Sequence, residues 1–418
     1  MYGLNGIKVI GEIPLNGEVK IQGSKNAALP MMAAALLNKG ETILKGCPKI
    51  ADVFAMEKIL NRLGVKSHWE GHTLFLNTAQ ITGNQVDRVL GKGMRCSVVL
   101  LGSLLGSCGE ARVPYPGGCV IGRRPVDLHL AALKALGAEI WEEEDFLCAR
   151  AHRLSGGSYH FPKSSVGATQ NAILAAVGAE GVTVLTGCSK EPEVFWLCRF
   201  LRQAGAEIEG TGSERLVITG GKPLHDVVFT VPADRIAAGT YVCACAITRG
   251  SCVLHNAPTE EMGALLSTYE KIGGQYTGNS GKLVLSGQNA KKPIPYLQTA
   301  VYPGFPTDLQ SILMAVLAVA EGESCMEERI FEDRFKAAPQ LRKMGADIAV
   351  CENCASIHGG VLWGTEVFAQ ELRGGAALVL AGLAARGETC VRNRHFIERG
   401  YEDLCGDLTR LGAKIFKD

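Results

Sequence analysis

The sequence predicts an α/β protein of two domains, each an inside-out α/β barrel built from three repeated units of about 70 residues. Three observations predict it. Two series of glycines keep one period along the chain, every period contains a nearly all-apolar helix, and short alternating strands lie between the helices.

The first glycine series closes six segments of one form, LNRLGVKSHWE, LKALGAEIWEE, LRQAGAEIEGT, YEKIGGQYTGN, LRKMGADIAVC and LTRLGAKIFKD. In each, a polar-apolar helix stops at glycine and a strand follows. Gly64, Gly137, Gly205, Gly273, Gly345 and Gly412 stand 73, 68, 68, 72 and 67 residues apart. Glycine is expected just past a helix end, where the backbone enters the left-handed region without a Cβ penalty. A second series, Gly40, Gly109, Gly181, Gly250, Gly322 and Gly387, runs half a unit out of phase.

Each unit holds two kinds of helix. One is apolar nearly all round, as in KNAALPMMAAALL, ATQNAILAAVGA and GGAALVLAGLAA, and must be enclosed on most sides. The other, as in PEVFWLCRFLRQAG, has an apolar stripe and a charged face. The strands, such as GEVKIQG, ERLVITG and GKLVLSG, alternate with period two, as sheets do with one face to water. Helices within and sheets without follow from that contrast. A length of 418 residues suits two globules of three units. N-terminal strands precede the first unit and the last stops soon after Gly412, so the chain ends are expected to complete one domain. Domain one is placed at 25–232, and domain two at 1–24 with 233–418.

Composition narrows the function. Lys and Arg number 43 against 42 Asp and Glu, a net charge of +1 that argues against nucleic acid or a membrane surface as the main partner. The longest apolar runs fall short of the ~18–20 residues of a membrane span. The N-terminus shows no apolar secretory core. Fifteen scattered cysteines suit reduced thiols in a cytoplasm better than a disulfide framework. CENC (Cys351, Cys354) has zinc-like spacing but no second pair, and reads as a hairpin rather than a metal site.

Charge gathers where the apolar helices begin: Lys25 and Asn26, Arg95, Lys163 with Ser164 and Ser165, Asp234 and Arg235, Asp308, and Glu371 with Arg373. A Ser, Asp or Asn there is ordinarily a cap, and Arg373 and Arg399 have a surface ion pair as their simplest role. Recurrence of Lys and Arg is not explained by capping, because a helix N-terminus disfavours cations unless an anion compensates. With the buried helices parallel, their N-termini would open on one face in each domain. Two such faces would make a cleft for phosphates or carboxylates, to which Lys25, Arg95, Arg124, Lys163, Arg373 and Arg399 add charge. The stretch VPYPGGCVIGRRPVDLHL sets Cys119 behind Pro116, Gly117 and Gly118, a polar turn rather than a core.

The chain resembles the enolpyruvyl transferases along its whole length, and among them those acting on UDP-N-acetylglucosamine at the start of peptidoglycan synthesis. The resemblance rests on GSKNAALP, PGGCVIGRRPVDLH, SVGAT, EPE, GFPTD, LRGGAALVLAG and ERGYE. The shikimate-pathway synthases share the six-unit inside-out fold but not the cysteine loop. The resemblance implies transfer of the enolpyruvyl group of phosphoenolpyruvate to the sugar 3′-hydroxyl, with phosphate released. It makes Asp308 the group facing that hydroxyl and Cys119 the acid at the methylene carbon, on a loop that closes as a lid. Lys25, Arg124 and Arg399 would grip phosphoenolpyruvate with Arg95 nearby, and Asn26 would touch the sugar. Arg124, Pro125, Val126, Asp127, Leu128 and His129 would line the uridine and diphosphate. Lys163, Ser164, Ser165, Val166 and Gly167 would meet the phosphates, and Ile330 the sugar end, with Glu371 and Arg373 beside Asp308. No metal or organic cofactor is implied, the partners are these two small molecules, and a monomer is compatible with the sequence. Three departures stand out: Glu371 for the usual aspartate, Ala237 where glutamate is common, and FKAAPQL after Arg334. They leave room for a paralogue with another nucleotide or shikimate 3-phosphate as acceptor. A UDP-sugar sensor without turnover is the remaining alternative, disfavoured by Cys119, Asp308, Lys25 and Arg399 occurring together.

Overall fold

The computed structural model describes residues 6–117, 125–279 and 281–418. They form two compact units, one of residues 23–117 and 125–232, the other of 6–22 and 233–418. Each encloses its own apolar core.

Within each unit the sheets repeat one plan. A central strand pairs in parallel with a short strand on one side and antiparallel with a hairpin on the other. In the 23–232 unit, Glu41–Lys45 lies between Val227–Thr230 and the hairpin Lys66–Glu70 with Thr73–Asn77. Gly181–Thr186 lies between Ser158–His160 and the pair Glu207–Glu209 with Arg215–Gly220. The sheet of Glu110–Pro114 keeps its hairpin, Glu139–Glu143 with Phe146–Arg150, but its parallel partner is reduced to a bridge at Gln85. In the other unit, Ser251–His255 lies between Asn16–Lys20 and the hairpin Gln275–Asn279 with Lys282–Ser286. Glu323–Glu327 lies between Leu297–Gln298 and the hairpin Asp347–Cys351 with Cys354–His358. In the last sheet the chain termini replace the hairpin: Gly6–Ile10 runs antiparallel to both Glu388–Arg392 and Lys414–Lys417.

Six helices fill the cores: α1 (Lys25–Ala34), α2 (Leu100–Cys108), α3 (Val166–Gly178), α4 (Arg235–Ile247), α5 (Gln310–Leu317) and α6 (Leu372–Ala384). All eight residues of α5 and twelve of the thirteen in α4 are buried, so these helices are enclosed rather than amphipathic. Two start differently from the plain helices expected. Arg95–Val99 precedes α2 and Thr307–Leu309 precedes α5 as tighter 3-10 turns, common at helix ends. Small residues let α2 and α3 approach closely: a Cβ on Gly178 would lie 2.5 Å from the Gly106 Cα.

The first glycine series behaves as expected, with φ between 90° and 102° at all six positions. The second does not behave uniformly. At Gly250 the left-handed residue is its neighbour Arg249 (φ 54°). Glycine is needed there for space instead, since a Cβ would sit 2.8 Å from the Leu15 nitrogen.

Eight of the described cysteines are buried. Burial pushes the Cys188, Cys198 and Cys243 thiols up to about 12, which suppresses the reactive thiolate. Cys351 and Cys354 do close a hairpin, directly opposed in register. Among the described residues no three His, Cys, Asp or Glu side chains are grouped to hold a metal, and no helix is long and apolar enough to cross a membrane.

Candidate active site

In the 23–232 unit, the Ser24 hydroxyl caps α1 by accepting the Ala27 N–H at 3.3 Å. That makes Lys25 the first helical residue and Asn26, half-buried, the second. The Lys25 ammonium lies 3.1 Å from Asp52, and the two side chains are only 14% and 9% exposed. This partner answers how a cation tolerates a helix start. α1 packs on the 3-10 turn opened by Arg95, whose guanidinium donates to the Pro125 carbonyl at 3.2 Å. Pro125 and Asp127 are exposed, Leu128 is half-buried, and Val126 and His129 are buried.

His129 is held on its Nδ1 side by Asn171. Asn171 accepts the Gly102 N–H through Oδ1 at 2.7 Å, so its Nδ2 is the group that meets His129 Nδ1 at 3.1 Å. With Nδ1 an acceptor, the imidazole proton sits on Nε2. A Cβ on Gly167 would stand 3.3 Å from that Nε2. The glycine therefore lets the start of α3 lie against the imidazole edge. Ser165 caps α3 by accepting the Ala168 N–H at 3.4 Å. Lys163 is exposed, and Ser164, Val166 and Gly167 are half-buried. Three stretches far apart in sequence thus meet: Arg95, residues 125–129 and residues 163–167. With the N-terminus of α3 beside Arg95 and Lys163, the cluster can receive a diphosphate.

In the other unit Asp308 sits in the 3-10 turn before α5 with its side chain 30% exposed. Its two oxygens accept from different arginines, Arg334 at 2.9 Å and Arg373 at 3.3 Å, each with a side chain only 3% exposed. The carboxylate is fixed in orientation from behind while one side meets solvent. Arg373 is therefore not a surface ion pair. Its guanidinium also donates to the Tyr401 hydroxyl at 3.2 Å. Burial alone would lower the Arg373 pKa, but Tyr401, Asp308 and Asp234 outweigh it and hold the cation above its ordinary value. Glu371 caps α6, accepting the Arg373 N–H at 2.8 Å and the Gly374 N–H, and stands 4.0 Å from Arg334. Asp234 caps α4 through Ile236 and Ala237 at 2.8 and 3.0 Å. Ala237 is fully buried. Arg399 ends the 3-10 turn Arg394–Arg399, which packs on α6.

Glu328 ties Ile330 to Thr307, the residue before Asp308. It accepts the Ile330 N–H at 2.8 Å, the Phe331 N–H at 3.1 Å and the Thr307 hydroxyl at 2.9 Å. Glu328, Arg334, Tyr401, Asp52 and Asn171 are the residues that sequence reasoning missed. None of the five is next in sequence to its partner, so no periodicity pointed to them, although Asp52 stands in the first turn of its own helix, Asn171 lies within ATQNAILAAVGA and Tyr401 within ERGYE. Cys119 and Arg124 lie outside the described residues.

Glu371→Asp is expected to change turnover less than about tenfold, since aspartate caps a helix equally well. Steady-state kinetics checks this. A collapse would show that the longer side chain is needed to reach Arg334.

With this geometry in hand, comparison with known proteins gives a consistent result. The chain matches the EPSP synthase (3-phosphoshikimate 1-carboxyvinyltransferase) family over residues 9–408. It is 41% identical over 411 residues to UDP-N-acetylglucosamine 1-carboxyvinyltransferase 2 of Caldanaerobacter subterraneus subsp. tengcongensis, spanning 98% of this chain and 99% of that one. The UDP-N-acetylglucosamine 1-carboxyvinyltransferase of Granulibacter bethesdensis is 41% identical over 417 residues, 99% of each chain. Among solved structures, the enolpyruvyl transferase NikO from Streptomyces tendae superposes with a TM-score of 0.87 at 25% identity, covering 99% of both chains. The mixed α/β fold is that of the enolpyruvyl transferases.

Proposed function

We propose that this chain, which belongs to the enolpyruvyl transferase family and within it to the UDP-N-acetylglucosamine 1-carboxyvinyltransferases, transfers the enolpyruvyl group of phosphoenolpyruvate to the 3′-hydroxyl of UDP-N-acetylglucosamine. Phosphate is released, and the product enters peptidoglycan synthesis in the cytoplasm. The observation that carries the reading is Asp308, a half-open carboxylate fixed by two buried arginines.

The chemistry assigns the roles. The sugar oxygen bonds to C2 of phosphoenolpyruvate, its proton passes to Asp308, and Cys119 delivers a proton to C3. The resulting tetrahedral adduct then returns a C3 proton to the Cys119 thiolate as the C2–O bond to phosphate breaks, and the Asp308 proton leaves with the phosphate. This restores the C2–C3 double bond in the enolpyruvyl group now carried by the sugar. Lys25, Arg124 and Arg399, with Arg95, hold the phosphate and carboxylate while charge redistributes. Residues 125–129 and 163–167 take the uridine and diphosphate. Asn26 and Ile330 adjoin the sugar, and Glu371 and Arg373 keep Asp308 aimed.

The architecture proposed with this function is six α/β units arranged inside-out, three in domain one (25–232) and three in domain two (1–24 with 233–418). The sheet plan repeated in each compact unit supports it.

Fosfomycin, a phosphonate epoxide that mimics phosphoenolpyruvate, tests the assignment. Cys119 is expected to be alkylated rapidly, and faster with UDP-N-acetylglucosamine present, because both the phosphonate cradle and the thiol loop must be in place. Peptide mass mapping reads the adduct. An adduct on a different cysteine, or a rate indifferent to the sugar nucleotide, would overturn the assignment.

A further inference from the structure

Away from these residues, one sheet of the 233–418 unit carries three thiols on a single face. Cys351 and Cys354 are directly opposed at the end of their hairpin. In the strand on the other side, Glu327 is opposite Cys354 and Cys325 is opposite Ser356. Residues paired in this way share a face of the sheet. The face is the outer one. Ser324, Met326, Ile348, Ala355 and Ile357 point inward and are buried, whereas Cys325 and Cys354 are half-buried and Cys351 is exposed.

Register decides which thiols can join. Directly opposed residues hold their Cα atoms about 4.5–5.5 Å apart, inside the roughly 4.4–6.8 Å range of disulfides. Cys325 is diagonal to Cys354, where Cβ atoms stand about 7–8 Å apart or slightly less, too far without strand movement. The turn between Cys351 and Cys354 is also fixed. Glu352 is left-handed (φ 52°), and the Asn353 carbonyl accepts the Glu328 N–H at 2.8 Å while its amide reaches the Glu328 carbonyl at 3.3 Å. The two residues are therefore held opposite each other by a fixed turn, where the Cys354 thiol donates to Asn353 Oδ1 at 3.8 Å.

We propose that Cys351 and Cys354 form a dithiol site that undergoes thiol–disulfide exchange with low-molecular-weight disulfides of the glutathione type, closing into a disulfide across the hairpin. The exposed Cys351 attacks first. Its thiolate bonds to one sulfur of the small disulfide, whose S–S bond breaks and expels one small thiol. The Cys354 thiolate then attacks the Cys351 sulfur and expels the second. Two protein thiols are oxidised, one small disulfide is reduced to two thiols, and the two protein protons end on those thiols. Burial and the neighbouring Glu327 push the Cys354 thiol up, which suits it to the second step rather than the first.

The folded chain supplies its own readout. Cleavage after Lys343 and Arg373 yields one tryptic peptide, Met344–Arg373, whose cysteines are Cys351 and Cys354 alone. After exposure to excess oxidised glutathione and alkylation of remaining thiols, this peptide is expected to have lost two hydrogens and to carry no glutathione. In Cys354→Ser the same peptide should carry a stable glutathione adduct on Cys351. In Cys351→Ser it should stay reduced over the time in which the wild type closes. A stable mixed disulfide on the wild-type peptide would overturn the proposal. So would a peptide left reduced while the exposed Cys108 is modified, or a cross-link to the peptide bearing Cys325.

Discussion

Asp308→Asn is expected to lower turnover by about 10²–10⁴, the range for a lost general base, with little change in UDP-N-acetylglucosamine affinity. The amide cannot take up the hydroxyl proton. It also turns an N–H₂ group toward one of the two arginines that hold the carboxylate at 2.9 and 3.3 Å, so the side chain is misaimed as well as inert. Binding should survive because the groups assigned to uridine and diphosphate are residues 125–129 and 163–167. Steady-state rates and calorimetric titration separate the two effects. Turnover near that of the wild type would remove Asp308 from the mechanism.

Arg373→Met is expected to destabilise the 6–22 and 233–418 unit by about 3 kcal/mol, the low end for breaking a buried pair. The low end applies because Asp308 is 30% exposed and water can replace part of the lost interaction. The Tyr401 hydroxyl loses its 3.2 Å donor, and Asp234 loses a cation that helps balance its buried charge. Arg373→Lys should recover part of the stability, since charge returns without the planar fork that spans Asp308 and Tyr401. Urea unfolding midpoints measure both. An unchanged midpoint in the methionine variant would mean that the Arg373–Asp308 pair contributes nothing to the folded state.

The features legible in the sequence were those with a period or a local rule. Gly64 and its five counterparts announced helix ends because only a left-handed backbone follows there, and all six have positive φ. Lys25, Arg95, Asp308 and Arg373 were visible as charge at the start of apolar helices, where the structure places them. Gly250 was a true marker for a different reason: it clears the Leu15 backbone while Arg249 takes the strained conformation. Arg334 and Glu328 were not legible, because each acts through space on a turn more than twenty residues away in sequence. His129 stood out in the sequence within RPVDLH, but its protonation was not legible, because it depends on Asn171 and, through it, on the Gly102 backbone.

The central claim is the choice of acceptor. Phosphate release from phosphoenolpyruvate, followed with UDP-N-acetylglucosamine or with shikimate 3-phosphate as the second substrate, tests it most directly. Release is predicted with the sugar nucleotide alone, one phosphate for each acceptor consumed. Release with shikimate 3-phosphate, or none with UDP-N-acetylglucosamine, would contradict it.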